Sequence, residues 1–204
     1  MIKNNYPLPL ILDIVENIGI KKIFTKLNLR WEYNNIQIKK ENKWKVAFTT
    51  LEGSFEPTIM FFGLTNFLAI FQTMMNKILW NLIDTGEVAS FIDNVIVEMK
   101  KKEEHDKAVE EVVKNLVENN LYVYVKPEKY KWKVRKVGFL GIVIVLERIK
   151  MEKVKVKGVL DWPTSKRVKD IQKFLGLINY YQQFIKDFVF IARLLYDLMK
   201  KNQK

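Results

Sequence analysis

Two apolar runs flank the dipeptide Asp93-Asn94 in "SFIDNVIVEM", and nothing else separates them. A parallel pair of strands needs a crossover of a dozen residues or more, so runs this close can only fold back on each other as an antiparallel hairpin. Asp and Asn suit its tip, because both tolerate a positive φ and bond their own backbone. A second reading of the same pair is chemical. Adjacent acidic positions at a hairpin tip can present oxygen ligands to a divalent metal, and here one of the two is an amide.

The rest of the chain supplies more antiparallel strands, interrupted by helices. "LILDIVENIG" follows Pro7 and Pro9 and reads as a short helix ending at Gly19. "KKIFTKLNL" reads as a strand, and "NNIQIKK" and "KWKVAFTT" alternate in the strand manner. "EGS" is expected to turn the last of these into "FEPTIMFF". In "GLTNFLAIFQTMMNKILWNLID", Phe67, Ile70, Phe71, Met74, Ile78, Leu79 and Leu82 recur at helical spacing after a Thr65 or Asn66 cap, which predicts one long apolar helix. "KKEEHDKAVEEVVKNLVENN" predicts an amphipathic helix with Val109, Val112, Val113, Leu116 and Val117 inside, His105 on the solvated side and Asn119-Asn120 at its end. "KVGFLGIVIVL" reads as a strand pair or as one long strand with a glycine kink. After Pro163 and a Thr164 or Ser165 cap comes a helix carrying Val168, Ile171, Phe174 and Leu175, and "VFIARLLYDLMKKNQK" predicts another. Antiparallel hairpins with segregated helices make the fold class α+β. The composition shift puts a boundary near residues 145–160.

Composition excludes several function classes. The 204 residues are 49% apolar and 28% charged, a globular balance, and no run is long enough to span a membrane. No cysteine is present, which removes disulfides and thiolate metal sites and points to an intracellular protein. One histidine rules out multi-histidine metal centres. The net charge of +12 is uneven: residues 121–204 hold 20 Lys and Arg against 7 Asp and Glu, and residues 1–120 sum to −1. A polyanion such as nucleic acid fits this field, and so does a lysine-rich solvated surface.

Five ordered segments carry a resemblance: "KIFTKLNLRWEYNNIQI", "KWKVAFTTLEGSFEPTIMFFGLTNFLAIFQTMMNKIL", "SFIDNVIV", "GFLGIVI" and "DWPTSKRVKDIQKFLGLINYYQQFIKDF". Together they resemble the reverse transcriptases of gypsy-class long-terminal-repeat retrotransposons, over almost the whole chain. The resemblance implies a polymerase palm, an antiparallel sheet with packed helices, followed by a connection and a helical thumb. It sets partial fingers and palm at 1–145 and connection and thumb at 146–204. It implies an RNA or DNA template with a DNA primer and dNTP as partners, and Mg2+ or Mn2+ held by three aspartates. Those catalytic positions are Asn28, Asp93 and Asn94 here, so a single carboxylate, Asp93, is left as metal ligand, and Phe91 stands where the family has tyrosine. Tyr33, Phe62 and Gly63 fall at the nucleotide pocket, and Phe139, Leu140 and Gly141 at the primer grip. Phe67-Leu68-Ala69 departs from the family's small residue, Pro and Ala. The basic tail, with Arg167, would follow a phosphate backbone as part of the thumb, while Tyr180, Tyr181 and Phe184 suit either a nucleic-acid groove or a helix core.

The resemblance begins near the end of the family's fingers, and nothing like a ribonuclease H or integrase domain follows, so a polyprotein segment is expected. Two lost carboxylates imply a severely impaired polymerase. A nucleic-acid-binding module without catalysis and a retroelement relic are the alternatives.

Overall fold

The protein is described from a computed structural model over residues 3–18, 22–29, 34, 36–61, 63–121, 131–145 and 148–200. It divides into two compact units, residues 1–139 with 144–148 and residues 140–143 with 149–204. The elements in chain order begin with α1 (Ile11–Ile18), β1 (Ile23–Asn28), β2 (Phe48–Thr50) and β3 (Gly53–Phe55). Then come α2 (Phe67–Ile78), α3 (Trp80–Asp84), β4 (Val88–Phe91), β5 (Asn94–Met99) and α4 (Lys102–Glu118). The chain goes on through β6 (Lys131–Val134), β7 (Lys136–Phe139), β8 (Ile142–Val145) and β9 (Arg148–Met151). It closes with α5 (Lys153–Leu160), α6 (Val168–Asn179) and α7 (Phe188–Leu198).

The first unit is built on an antiparallel sheet of order β4-β5-β1-β6. β1 runs against β5 with Leu27 opposite Val95 and Asn28 opposite Asn94. Side chains alternate across a strand, so the sheet sorts its residues by parity. Leu27, Val95 and Val97 join the core with Phe71 and Met75 of α2 and Val109, Val112 and Leu116 of α4. Lys26, Asn28, Asn94 and Ile96 share the other face. Packing against two apolar helix stripes thus leaves the polar strand ends together on the opposite side.

Local structure departs from expectation in several places. The long helix is two, because the chain breaks at Leu79 between α2 and α3. "NNIQIKK" contributes only an isolated bridge, Gln37 to Ile59, among the described residues. Lys40–Val46 forms a 3-10 helix where a strand was expected, and the following hairpin turns at Leu51-Glu52, with Gly53 and Ser54 already in β3. α6 is capped by the backbone of Arg167, not by Thr164 or Ser165. Val117 is exposed on α4, while Asn119 and Asn120 end that helix as the sequence implied. Gly19 lies outside the described residues.

His105 is the largest correction. Expected on the surface, it is fully buried, and neither ring nitrogen has a hydrogen-bond partner among the described residues. Burial pushes its pKa below the ordinary 6.5; the Asp106 carboxylate, 3.7 Å from Nδ1, opposes that shift, and Lys133 reinforces it. The folded state therefore favours the neutral ring. Below about pH 6.5 the unfolded chain binds a proton that the folded chain does not, so stability falls as pH drops through that value. The urea midpoint is expected to be lower at pH 5.5 than at 7.5, and His105→Leu is expected to flatten that difference. An unchanged pH dependence in the variant would place the titrating group elsewhere.

In the second unit, Leu175 and Ile178 of α6 pack with Ala192 of α7, flanked by Phe174, Phe188 and Leu195. α7 buries one side only. Phe190, Ile191, Leu194 and Leu198 form an exposed apolar arc along it.

Candidate functional site

Asn28, far away in sequence, meets Asp93 and Asn94 at one end of the sheet. β1 ends at Asn28, which pairs across the ladder with Asn94, the first residue of β5. The hairpin tip is Ile92-Asp93, with Phe91 opposite Asn94, so the turn lies one residue earlier than the Asp93-Asn94 tip the sequence suggested. φ is +53° at Ile92 and is not positive at Asp93, the pattern of a type II′ turn. That position favours glycine; a β-branched residue there is strained by about 1–3 kcal/mol. Nothing in the sequence marks Ile92, whose neighbours Asp93 and Asn94 are the usual turn formers.

The three polar side chains close on each other. Asn28 Nδ2 donates to Asp93 Oδ2 at 2.8 Å and approaches Asn94 Oδ1 at 3.5 Å. Asn94 Nδ2 donates to Asp93 Oδ1 at 2.6 Å. The Leu29 N–H donates to the Asp93 carbonyl at 2.9 Å and ties the turn to the end of β1. Both oxygens of the single carboxylate accept from amides, and all three residues are half-buried. Sequence reading also passed over Gln72, buried on α2 beneath this turn, whose Oε1 accepts the Ile92 N–H at 2.8 Å. The signal available was one amide inside an otherwise apolar helical stripe.

This arrangement does not fit a two-metal centre. Among the described residues no three His, Cys, Asp or Glu side chains come together. Dications of this kind are held through carboxylates supplemented by neutral oxygens and phosphates, and among the described residues one carboxylate stands here, covered by two amide donors.

Of the expected nucleotide-pocket residues, Tyr33 and Phe62 lie outside the described residues. Gly63 is exposed with φ +99°, a backbone that L side chains rarely adopt. Of the primer-grip positions, Phe139 is buried at the end of β7, and Leu140-Gly141 forms a two-residue turn before β8, with φ of +50° and +78°. The strand-pair reading of this segment is the correct one. Tyr180 Oη donates to the Leu140 carbonyl at 2.6 Å, and the Tyr181 ring meets that of Tyr180 edge-on at 4.7 Å. Burial, with nearby Tyr181 and Glu152, pushes the Tyr180 phenol up to about 12. Tyr181 is buried and Tyr180 half-buried, so both pack within the second unit.

A Cβ on Gly141 would stand 2.7 Å from Tyr181 Oη. Gly141→Ala therefore meets both a positive φ and a buried ring. It is expected to cost about 2 kcal/mol, read as a lower urea midpoint with an unchanged slope. A cost within a few tenths would show that neither the positive φ nor the Tyr181 ring resists a Cβ at this turn.

The exposed cations are spread along the second unit. Lys153, Lys155 and Lys157 stand on α5, which buries no residue. Arg167, expected to be available to phosphate, holds Asp170 at 3.3 Å.

Comparison with known proteins agrees with this layout. A family model described as reverse transcriptase (RNA-dependent DNA polymerase) matches residues 2–144. The chain is 32% identical over 200 residues to the retrovirus-related Pol polyprotein from transposon gypsy of Drosophila melanogaster, covering 98% of the chain and 19% of that protein. It is 34% identical to the transposon opus Pol polyprotein of the same fly, over 98% of the chain and 20% of the relative. The Tf2-7 transposon polyprotein of Schizosaccharomyces pombe is 32% identical over 98% of the chain and 15% of its own length. The chain thus spans about a fifth of the first two relatives and less of the third. Among solved structures, the foamy viral protease-reverse transcriptase in complex with RNA/DNA hybrid superposes with TM-score 0.85 at 23% identity, over 100% of the chain and 27% of that one. A form of it in complex with double-stranded DNA gives TM-score 0.89 at 23% identity, over 100% and 35%. The palm-like sheet, the hairpin that brings Asp93 to Asn28, and a family match over most of the chain lead to one conclusion: this chain belongs to the reverse transcriptase (RNA-dependent DNA polymerase) family.

Proposed function

We propose that this chain is the palm-and-thumb part of a retrotransposon RNA-directed DNA polymerase whose nucleotidyl-transfer site is disarmed. Residues 1–145 act as partial fingers and palm, residues 146–204 as connection and thumb, and a template–primer duplex is the partner. The observation that carries the reading is the closed network at Asp93, where amides occupy both oxygens of the only carboxylate found there among the described residues. Each missing carboxylate removes about 8 kcal/mol of attraction for a dication at ~4 Å and an effective dielectric near 20, about 4 for each unit of the ion's charge. The +13 charge of residues 121–204 supports a polyanionic partner, and the solved neighbours were captured on nucleic acid duplexes. Tyr33, Phe62 and Gly63 are assigned to the incoming nucleotide, and Phe139, Leu140 and Gly141 to the primer end.

The test is primer extension on an RNA template with Mg2+ or Mn2+. The chain as it stands is expected to bind template–primer in a steeply salt-dependent way and to extend nothing. The Asn28→Asp, Asn94→Asp double variant is expected to extend the primer. Extension by the unaltered chain would overturn the reading.

A further inference from the structure

We infer that Gln72 is a positioning residue for Asp93, with Asn76 and Tyr6 bracing it from behind through a hydrogen-bond chain. The inference rests on the polymerase reading above for its functional meaning, but its geometry stands alone.

Gln72 is 0% exposed, and its amide is fully used. Oε1 accepts the Ile92 N–H at 2.8 Å. Nε2 donates to the Ser90 carbonyl at 3.0 Å and to Asn76 Oδ1 at 2.8 Å. One side chain thus grips the hairpin on either side of Phe91, at the last strand residues and at the strained turn residue. A primary amide presents oxygen on one side and nitrogen on the other, so only one of its two flips satisfies both backbone groups. The hydrogen-bond chain continues behind it: Asn76 turns Oδ1 to Gln72 and donates from Nδ2 to Tyr6 Oη at 2.7 Å. Reversing Gln72 would set an N–H against the Ile92 N–H and a carbonyl against the Ser90 carbonyl.

The turn gives this grip a purpose. Ile92 holds φ +53°, a conformation unfavourable for a β-branched residue, and it immediately precedes Asp93. A backbone in a sparsely populated region persists only where its surroundings over-determine it. The hydrogen bond from the Ile92 N–H to Gln72 does this from inside the core, and the bond from the Leu29 N–H to the Asp93 carbonyl does it from the sheet. Groups that orient a ligand without touching the ion commonly change metal affinity by about 10–100-fold.

Two readouts test the proposal. The first uses the chain as it stands and measures hydrogen exchange at the Ile92 amide by NMR. Gln72→Met, which keeps length and removes both partners, is expected to speed that exchange about tenfold, with α4 amides unchanged. Tyr6→Phe, which deletes only the acceptor behind Asn76, is expected to move the same amide in the same direction by less. The second measures Mn2+ affinity by electron paramagnetic resonance in the Asn28→Asp, Asn94→Asp background. Adding Gln72→Met is expected to weaken binding about tenfold. Unchanged Ile92 exchange, or a uniform rise across α4 as well, would overturn the positioning role. Unchanged Mn2+ affinity in a background that binds the ion would also overturn it. If that background binds no Mn2+ while Ile92 exchange responds to both substitutions, the turn-holding role stands and the polymerase reading falls.

Discussion

The Asn28→Asp, Asn94→Asp double variant is expected to gain divalent-ion affinity by several orders of magnitude and to lose stability when no ion is present. Both effects come from the same charges. In the unaltered chain, Asp93 accepts hydrogen bonds from amide donors at 2.8 and 2.6 Å. Aspartates at those positions replace two attractive contacts with two repulsive ones, each worth about 4 kcal/mol at ~4 Å before solvent and proton uptake relieve it. With that relief, a net loss of about 2–4 kcal/mol is expected, or roughly 5–15 °C in Tm for a chain of this size. Mg2+ or Mn2+ then stabilises the variant by mass action, about 2.7 kcal/mol at a hundred times its Kd. Thermal melts with chelator and with millimolar Mg2+ measure both terms at once. The variant's midpoint is expected to rise with the ion while the unaltered chain's stays still. A matching rise in the unaltered chain would show that its amide network already accepts a dication.

Phe71→Ala is expected to cost about 3–5 kcal/mol, the range for an aromatic ring deleted from a core that cannot collapse. Phe71 is fully buried on α2, its ring stacked with Phe67 at 5.8 Å, in the layer that supports β4 and β5. Phe190→Ala removes the same atoms from α7, where the residue is 76% exposed, and is expected to stay within about 0.5 kcal/mol. Urea titrations of the pair separate burial from chemistry, because the substitution is identical. An equal cost at both positions would mean that the apolar arc of α7 is covered in solution.

Strong periodicity made much of the frame legible. β1, β4, β5 and α4 fall where alternation and helical spacing put them, because each buries a continuous apolar face. The gathering of Asn28 with Asp93 and Asn94 was legible through family resemblance and not through spacing, since 65 residues separate Asn28 from its partner in the sequence. What stayed hidden had weak or misleading local signals. Lys40–Val46 is exposed and poor in apolar residues, so no period opposed its 3-10 helix. In α5, alternating Lys and Val imitate a strand, yet the segment is helical. His105 sits in a run of charged residues that reads as surface, and only the packing of α4 against the sheet turns its ring inward. Gln72 resembles any helix-interior amide until the hairpin is laid over it.

The amide network keeps the outline of a carboxylate cluster, since Asn and Asp have nearly the same shape and Asn28 and Asn94 hold their places in the ladder. What it lacks beside such a cluster is charge. Asparagine and aspartate codons differ by a single letter, so each added carboxylate is one base change away, and the hairpin, the Gln72 support and the sheet register need no rebuilding on the way. On the reading proposed above, the site is switched off with its scaffold intact, and two base changes would end that silence.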